Sequence, residues 1–118
     1  MSLHHVALEV READAGEEVT FWALLGFAEV EPPEALRDRS RWVQRGATQV
    51  HLLFSADPVI PPSGHVAVVA EAFAEVGARL AAAGRIPELR TEHWGAPRAF
   101  VRSPAGHRVE LMHTPPGG

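Results

Sequence analysis

Histidine is the most notable residue type capable of chemistry in this 118-residue chain. The chain has seven histidines but neither cysteine nor tyrosine. Without cysteine the chain forms no disulfide or thiolate metal site and has no thiol nucleophile. Without tyrosine, no phenol can serve as an acid, base or nucleophile. Imidazole binds divalent transition metals and exchanges protons near neutral pH. The composition therefore directs attention to metal binding or proton transfer by histidines and carboxylates.

The candidate residues lie at matching places in an internal repeat. The segment His5–Val10 (HVALEV) recurs as His65–Ala70 (HVAVVA). His51 follows His5 by 46 positions (51 − 5), and Glu110 follows His65 by 45 (110 − 65). Each half thus carries one metal-capable side chain on its first predicted strand and one on its last. Such matching positions of four metal-capable side chains in the two halves are not readily produced by chance. A single histidine on a strand, taken alone, is more often structural.

The elements that must position these residues follow the same order in both halves. Alternating and helical hydrophobic spacing predicts strand, helix and three further strands, twice. The predicted strands span residues 3–10, 27–31, 40–45 and 49–54, then 64–70, 86–90, 98–102 and 108–112. The predicted helices lie between Asp14 and Gly26 and over residues 71–83, each with a glycine where a helix end favours it.

These elements predict one α+β domain over residues 1–118, made of two βαβββ modules. Module one spans about residues 1–56, a proline-rich linker about 57–63, and module two about 64–113. Because strand side chains alternate, each first-strand histidine shares its face with a small residue, Ala7 or Ala67. Space for a ligand is therefore expected beside His5 and His65.

Three further side chains are candidates for the wall of a substrate pocket. Trp42 and Phe100 lie at equivalent positions of the two predicted hairpins, and Arg108 shares a strand face with Glu110. Core packing is the competing interpretation for at least one of the two aromatic residues. His4, His93, His107 and His113 have no counterpart in the other half and are assigned to edges, turns and loops.

The order of these motifs resembles that of the glyoxalase/bleomycin-resistance/dioxygenase (vicinal oxygen chelate) superfamily. The resemblance covers roughly residues 3–113 and depends on five segments in sequence, HHVALEV, FWALLGF, GHVAVVA, ARLAAAG and FVRSPAGHRVELM. It implies that the two modules form one curved, open eight-stranded mixed sheet. It also implies a divalent metal at the concave centre, held by the first and last strands of each module.

By position, the resemblance makes His5, His65 and Glu110 the expected metal ligands, with His51 at a fourth position that varies among relatives. The expected metal is Fe, Mn, Ni, Co or Zn, since all accept imidazole and carboxylate. Glu110 is also the expected catalytic residue, as a base near the metal. The resemblance further implies a homodimer and a small-molecule substrate.

Two functions follow from these expectations. The first is a metal-dependent lyase, isomerase or oxygenase acting on a small oxygenated metabolite. The second is a metal-free protein that binds a small molecule or drug, as bleomycin-resistance proteins do. The net charge of −4, without a basic cluster, argues against nucleic acid. The lack of cysteine, of an apparent signal segment and of a long apolar run predicts a cytoplasmic protein away from membranes.

Overall fold

The computed structural model describes residues 1–117. It divides the chain into two compact units, the first from Met1 to Ile60 and the second beginning at Pro61. Each unit has its own four-stranded sheet and its own α-helix.

The first unit contains strands β1 (His5–Val10), β2 (Ala28–Val30), β3 (Ser40–Arg45) and β4 (Thr48–Phe54), with helix α1 (Ala15–Leu24). Short 3₁₀ turns lie at Glu12–Asp14 and Glu34–Leu36. The sheet order is β1-β4-β3-β2. β1 runs parallel to β4, whereas β3 is antiparallel to both of its neighbours. The sheet is therefore mixed, with one crossover through α1.

Helix α1 covers one face of this sheet and leaves the other to polar and aromatic side chains. Arg45 donates a hydrogen bond of 3.0 Å to the carbonyl of Leu25, just after α1, so the odd-numbered face of β3 lies toward the helix. The buried side chains of this layer include Val10, Phe21, Trp22, Val43, Val50 and Leu52. Trp42 and His51 lie on the opposite face, because strand side chains alternate.

The second unit repeats this arrangement with strands β5 (Val66–Val69), β6 (Glu88–Arg90), β7 (Arg98–Arg102) and β8 (Arg108–Met112) and helix α2 (Phe73–Ala82). Its sheet order is β5-β8-β7-β6, which is the order of the first unit with each strand replaced by its repeat. Its buried side chains include Val76, Leu80, Ala99, Val101, Val109 and Leu111. The βαβββ duplication predicted from the sequence is thereby confirmed, and so is the α+β class.

The ends of several elements differ from the predicted ones. The predicted strand 64–70 is shorter, so that His65 immediately precedes β5 and does not lie within it. Asp14 occupies the N-cap position of α1, but its side chain makes no capping hydrogen bond. The hairpin strands 40–45, 98–102 and 108–112 match their predicted bounds. Helix and strand ends are set by a few local hydrogen bonds, which hydrophobic spacing does not encode.

Four expectations remain predictions, namely the union of the two sheets into eight strands, the single domain over residues 1–118, the homodimer and the cytoplasmic location. Residue 118 lies outside the described part of the chain. None of the helices formed by residues 1–117 has the length and apolar character needed to span a bilayer.

Candidate functional site

The two candidate ligands of the first unit lie on adjacent strands with their rings in contact. β1 and β4 are paired so that Ala7 is opposite His51, and His5 is opposite Gln49. The imidazoles of His5 and His51 stack with centroids 3.9 Å apart and planes 18° apart. The structure thus brings these two predicted site residues together.

Trp42 closes the other side of the His51 ring. It is the antiparallel partner of His51 across β3 and β4. The two rings stack at a centroid distance of 3.7 Å, with an angle of 4° between their planes. His51 is therefore held between His5 and Trp42 and is only 6% exposed. The predicted pocket residue Trp42 contacts a candidate ligand directly.

A chain of hydrogen bonds fixes the tautomer of His51. Gln44 Nε2 donates to the carbonyl of Gly46 (3.0 Å), so Gln44 Oε1 is free to accept from Gln49 Nε2 (2.7 Å). Gln49 Oε1 must then accept from His51 Nε2, 2.7 Å away. His51 consequently carries its proton on Nε2 and presents a lone pair on Nδ1.

Burial also keeps His51 uncharged. Burial, together with repulsion from the neighbouring His5 and His4, lowers the pKa of His51 to about 4. The ring is therefore neutral at pH 7, which is the form that ligates metals. His4 Nδ1 lies 3.0 Å from His5 Nδ1, so His4, assigned from the sequence to an edge, joins this cluster.

The two candidate ligands of the second unit form a direct pair. Glu110 is opposite Ala67 in the pairing of β8 with β5, the register that His51 and Ala7 have in the first unit. His65 Nε2 lies 3.1 Å from Glu110 Oε1. His65 Nδ1 lies 2.9 Å from the carbonyl oxygen of Ser63. The imidazole is therefore flanked by oxygen acceptors on both ring nitrogens.

Glu110 is buried, at 6% exposure, and both of its oxygens have partners. Arg98 Nε donates to Glu110 Oε2 at 2.9 Å, and Arg98 Nη1 donates to the Thr91 carbonyl at 2.9 Å. A buried carboxylate needs such partners, because desolvation strongly disfavours an unpaired charge. The two partners are His65 and Arg98, and the arginine is therefore not Arg108, which shares a strand face with Glu110.

Phe100 and Arg108, the remaining predicted pocket residues, lie together on the same face of the second sheet. The guanidinium of Arg108 is 4.5 Å from the centroid of the Phe100 ring, a cation–π distance. Phe100 is opposite Glu110 in the pairing of β7 with β8, and its ring meets His65 edge-on at 5.0 Å. This aromatic residue therefore adjoins both the His65–Glu110 pair and Arg108.

Sequence reasoning missed the residues that orient the candidates, chiefly Arg98 and Gln44. Arg98 reaches Glu110 diagonally across the antiparallel pair, a relationship that depends on the strand register. The alternation of Arg98, Phe100 and Arg102 along one strand face was the signal that could have drawn attention to it. Within residues 1–117, no group of three or more histidine, aspartate or glutamate side chains is arranged to hold a metal ion.

Comparison with solved structures identifies the fold. The chain is similar to a protein described as a glyoxalase family member from Bacillus anthracis, with 22% identity, a TM-score of 0.86 and coverage of 95% of this chain and 93% of that one. It is similar to a lactoylglutathione lyase from Agrobacterium tumefaciens, with 20% identity, a TM-score of 0.71 and coverage of 94% and 92%. It is also similar to oxidase ChaP-H2, with 18% identity, a TM-score of 0.79 and coverage of 100% and 97%.

No family model and no curated protein matches the sequence. The structural likeness establishes that the chain has the glyoxalase-like fold, and the resemblance inferred from the sequence is confirmed at that level.

Proposed function

We propose that this protein is a divalent-metal-dependent enzyme that acts on a small oxygenated metabolite as a lyase, isomerase or oxygenase. The observation that supports the proposal most is the position of His65 between two oxygen acceptors, the Ser63 carbonyl and Glu110 Oε1. The fold similarity to a lactoylglutathione lyase and to an oxidase agrees with the reaction classes but does not choose between them.

A neutral imidazole carries one N–H and therefore cannot donate to both acceptors. With the proton on Nδ1, bonded to Ser63, the lone pair of His65 Nε2 faces Glu110 Oε1 at 3.1 Å. Either tautomer leaves one ring nitrogen with its lone pair toward an oxygen, and a cation shared by Nε2 and Glu110 Oε1 would satisfy both of those atoms. A backbone carbonyl on the second nitrogen is also the usual way in which a metal-ligating histidine is oriented.

The distance between the two atoms suits a shared ion. Nitrogen and oxygen ligands lie about 2.0–2.2 Å from zinc, so two ligands at right-angle or tetrahedral positions are about 2.8–3.6 Å apart. The 3.1 Å between His65 Nε2 and Glu110 Oε1 falls in that range. The spacing of these two atoms is therefore compatible with a shared divalent metal such as Fe, Mn, Ni, Co or Zn.

We further propose His5 and His51 as metal ligands, on the strength of the repeat. Each unit places its candidate on the last strand opposite an alanine of the first strand, Ala7 or Ala67. The equivalence of His51 and Glu110 is thus carried by strand register as well as by sequence spacing. The neutral state and free Nδ1 of His51 are compatible with ligation.

When bound, the metal would act as a Lewis acid that polarises an oxygen of the substrate. Arg98 holds Glu110 Oε2, so Oε1 is the oxygen that would either stay bound to the metal or accept a proton beside it. The Ser63 carbonyl fixes the orientation of His65 beside it. Glu110 is accordingly the proposed catalytic residue.

Metal retention tests the proposal. Chelator-treated protein is equilibrated separately with Zn, Mn, Fe, Co and Ni, and the retained metal is measured by elemental analysis. We expect about one equivalent in the wild type and a loss of affinity of at least about tenfold in His65→Ala and His5→Ala. His93→Ala, which removes a histidine without a symmetry counterpart, is the matched control, and circular dichroism checks folding of every variant. Equal and negligible retention in all four proteins would contradict the proposal.

A second function is favoured by a separate observation. The second unit contains a cavity of about 470 Å³ lined by arginines and Phe100, a volume within the range of small-molecule sites. A metal-free binding protein needs only such a cavity. Tight ligand binding without metal retention would favour this alternative.

A further inference from the structure

The arginine-lined cavity of the second unit has the chemistry of a site for an organic anion. The side chains that define it are Arg85, Ile86, Arg90, Phe100, Arg102 and Arg108. We infer that it binds a small carboxylate with a flat, aromatic or unsaturated body, the carboxylate at Arg108 and the body against Phe100. The inference extends the proposed function and rests on it in one respect. The end of the ligand that reacts is taken to be the one nearest the proposed metal ligands.

The cavity lining is positively charged, although the chain as a whole is negatively charged. Four arginines and one glutamate, Glu88, line it, although the protein has a formal net charge of −4. Residues 1–60 hold five arginines against ten acidic residues, whereas residues 61–118 hold six arginines against five. Four of the six arginines of the second unit therefore line this cavity.

Among the cavity arginines in contact with Phe100, Arg108 is the one whose guanidinium donors are available. Arg90 lies 3.5 Å from Glu88, and Arg102 donates to the Gly106 carbonyl at 3.0 Å. In the part of the chain that the structure describes, the Arg108 guanidinium forms no hydrogen bond or ion pair, and it lies over the Phe100 ring. A guanidinium with free donors binds a carboxylate through two parallel hydrogen bonds.

Phe100 determines which shape and polarity the part of the ligand beyond its carboxylate should have. Besides Arg108, the guanidinium groups of Arg90 and Arg98 lie 5.5 and 5.3 Å from its ring centroid. The ring and the neighbouring Ile86 offer apolar surface that an inorganic anion would leave unused. A neutral apolar molecule would instead desolvate the arginines without pairing them. A planar organic carboxylate satisfies both requirements.

The cavity also adjoins the His65–Glu110 pair. Arg108 and Glu110 occupy successive positions on one face of β8, a spacing of about 7 Å. Phe100 is opposite Glu110 on the neighbouring strand. A carboxylate at Arg108 therefore directs the body of the ligand across Phe100 toward the proposed metal pair.

Isothermal titration calorimetry with 2-naphthoate tests the inference on the chelator-treated, full-length protein at low ionic strength. We expect binding by the wild type, at least about tenfold weaker binding by Arg108→Gln, and unchanged binding by Arg79→Gln, which removes an exposed arginine of α2. Phe100→Leu should also weaken binding, and it provides a second test if Arg108→Gln does not fold. Neutral 2-naphthamide and inorganic phosphate should each bind at least about tenfold more weakly than 2-naphthoate.

The inference is overturned if the wild type does not bind 2-naphthoate, if Arg79→Gln loses as much affinity as Arg108→Gln, or if phosphate binds equally well. Metal retention is measured on the same preparations. Naphthoate binding without metal retention would contradict the proposed enzyme function but not this inference. Metal retention without naphthoate binding would contradict this inference but not the proposed enzyme function.

Discussion

Trp42 and His51, paired across β3 and β4, stack almost in parallel, with centroids 3.7 Å apart and planes 4° apart. The other face of His51 is covered by His5. Three side chains from three adjacent strands thus form one stack, and the middle ring is held in a single orientation. The neutral imidazole of His51 is therefore already held in one orientation in the ligand-free protein.

Replacing Trp42 should loosen this stack. We expect Trp42→Leu to lower the free energy of unfolding by about 1 to 2 kcal/mol, because aromatic pairing contributes beyond the area it buries. Urea denaturation of chelator-treated protein measures the change. Trp94→Leu is the matched control, since Trp94 lies in a loop and donates one hydrogen bond, to the Thr114 carbonyl. Equal losses in the two variants would contradict a special role of the stack.

The hydrogen-bond chain from Gly46 through Gln44 and Gln49 predicts the proton position on His51. In the metal-free wild type, long-range ¹H–¹⁵N NMR spectra should show the Nε2–H tautomer. Gln49→Met removes the acceptor while keeping a side chain of similar length, and it should produce a mixture of tautomers. Gln44→Met breaks the chain one step further away, so its effect should be smaller. An Nδ1–H tautomer in the wild type would refute the proposed network.

Glu110 should also contribute to stability in the absence of metal. Glu110→Gln leaves Arg98, whose side chain is 13% exposed, without a negative partner. We expect the free energy of unfolding to fall by about 2 to 3 kcal/mol, since one member of a buried pair is lost but the Thr91 carbonyl still accepts from Arg98. Urea denaturation with chelator present gives the value.

The control for that measurement is Glu88→Gln. Glu88 is 71% exposed and lies 3.5 Å from Arg90. An exposed pair of this kind should contribute less than about 0.5 kcal/mol. A loss of that small size for Glu110→Gln would mean that the carboxylate is not a stabilising partner of Arg98.

The sequence predicted the repeat, the order of the elements and three hairpin strands, because hydrophobic period and turn glycines carry that information. Gly26 and Gly84, predicted to end the helices, have positive φ angles of 87° and 80°. The pairing of His65 with Glu110 followed from the register of equivalent strands. Arg98 was not predicted, because it reaches Glu110 diagonally across two strands. Gln44 was not predicted, because its bond to the directly opposite Gln49 depends on side-chain conformation, which spacing alone does not determine.

The Glu29–Arg41 pair predicts a dependence of stability on pH. Arg41 donates two hydrogen bonds to the Glu29 carboxylate, of 2.7 and 2.9 Å, and these bonds lower the pKa of Glu29 in the folded protein. A lowered folded pKa stabilises the protein above the unfolded pKa and loses that effect as the pH falls through the folded value. Both side chains are more than a third exposed, at 38% and 42%, so the effect is small.

We therefore expect Glu29→Gln to be less stable than the wild type by about 0.5 kcal/mol at pH 7. The difference should begin to shrink as the pH falls below the unfolded pKa, about 4.3. It should vanish only once the pH is below the lower folded pKa, where Glu29 is protonated in both states. Urea denaturation at a series of pH values gives both curves. Glu31→Gln, which makes the same charge change at an 80% exposed side chain, should show a smaller difference at pH 7. A difference that widens at low pH would contradict a lowered pKa of Glu29 in the folded protein.

Two glycines of the second unit should respond to alanine in opposite directions. An added Cβ would meet nothing within 4 Å at either Gly77 or Gly84, so crowding does not distinguish them. Gly77 lies inside α2, where alanine reduces the entropy of the unfolded chain, and Gly77→Ala should raise the free energy of unfolding by about 0.5 to 1 kcal/mol. Gly84 has a φ of 80°, and Gly84→Ala should lower it by about 1 kcal/mol because a Cβ disfavours that conformation. Thermal and urea unfolding of both variants checks the pair, and stabilisation by Gly84→Ala would show that the chain after α2 does not turn as described.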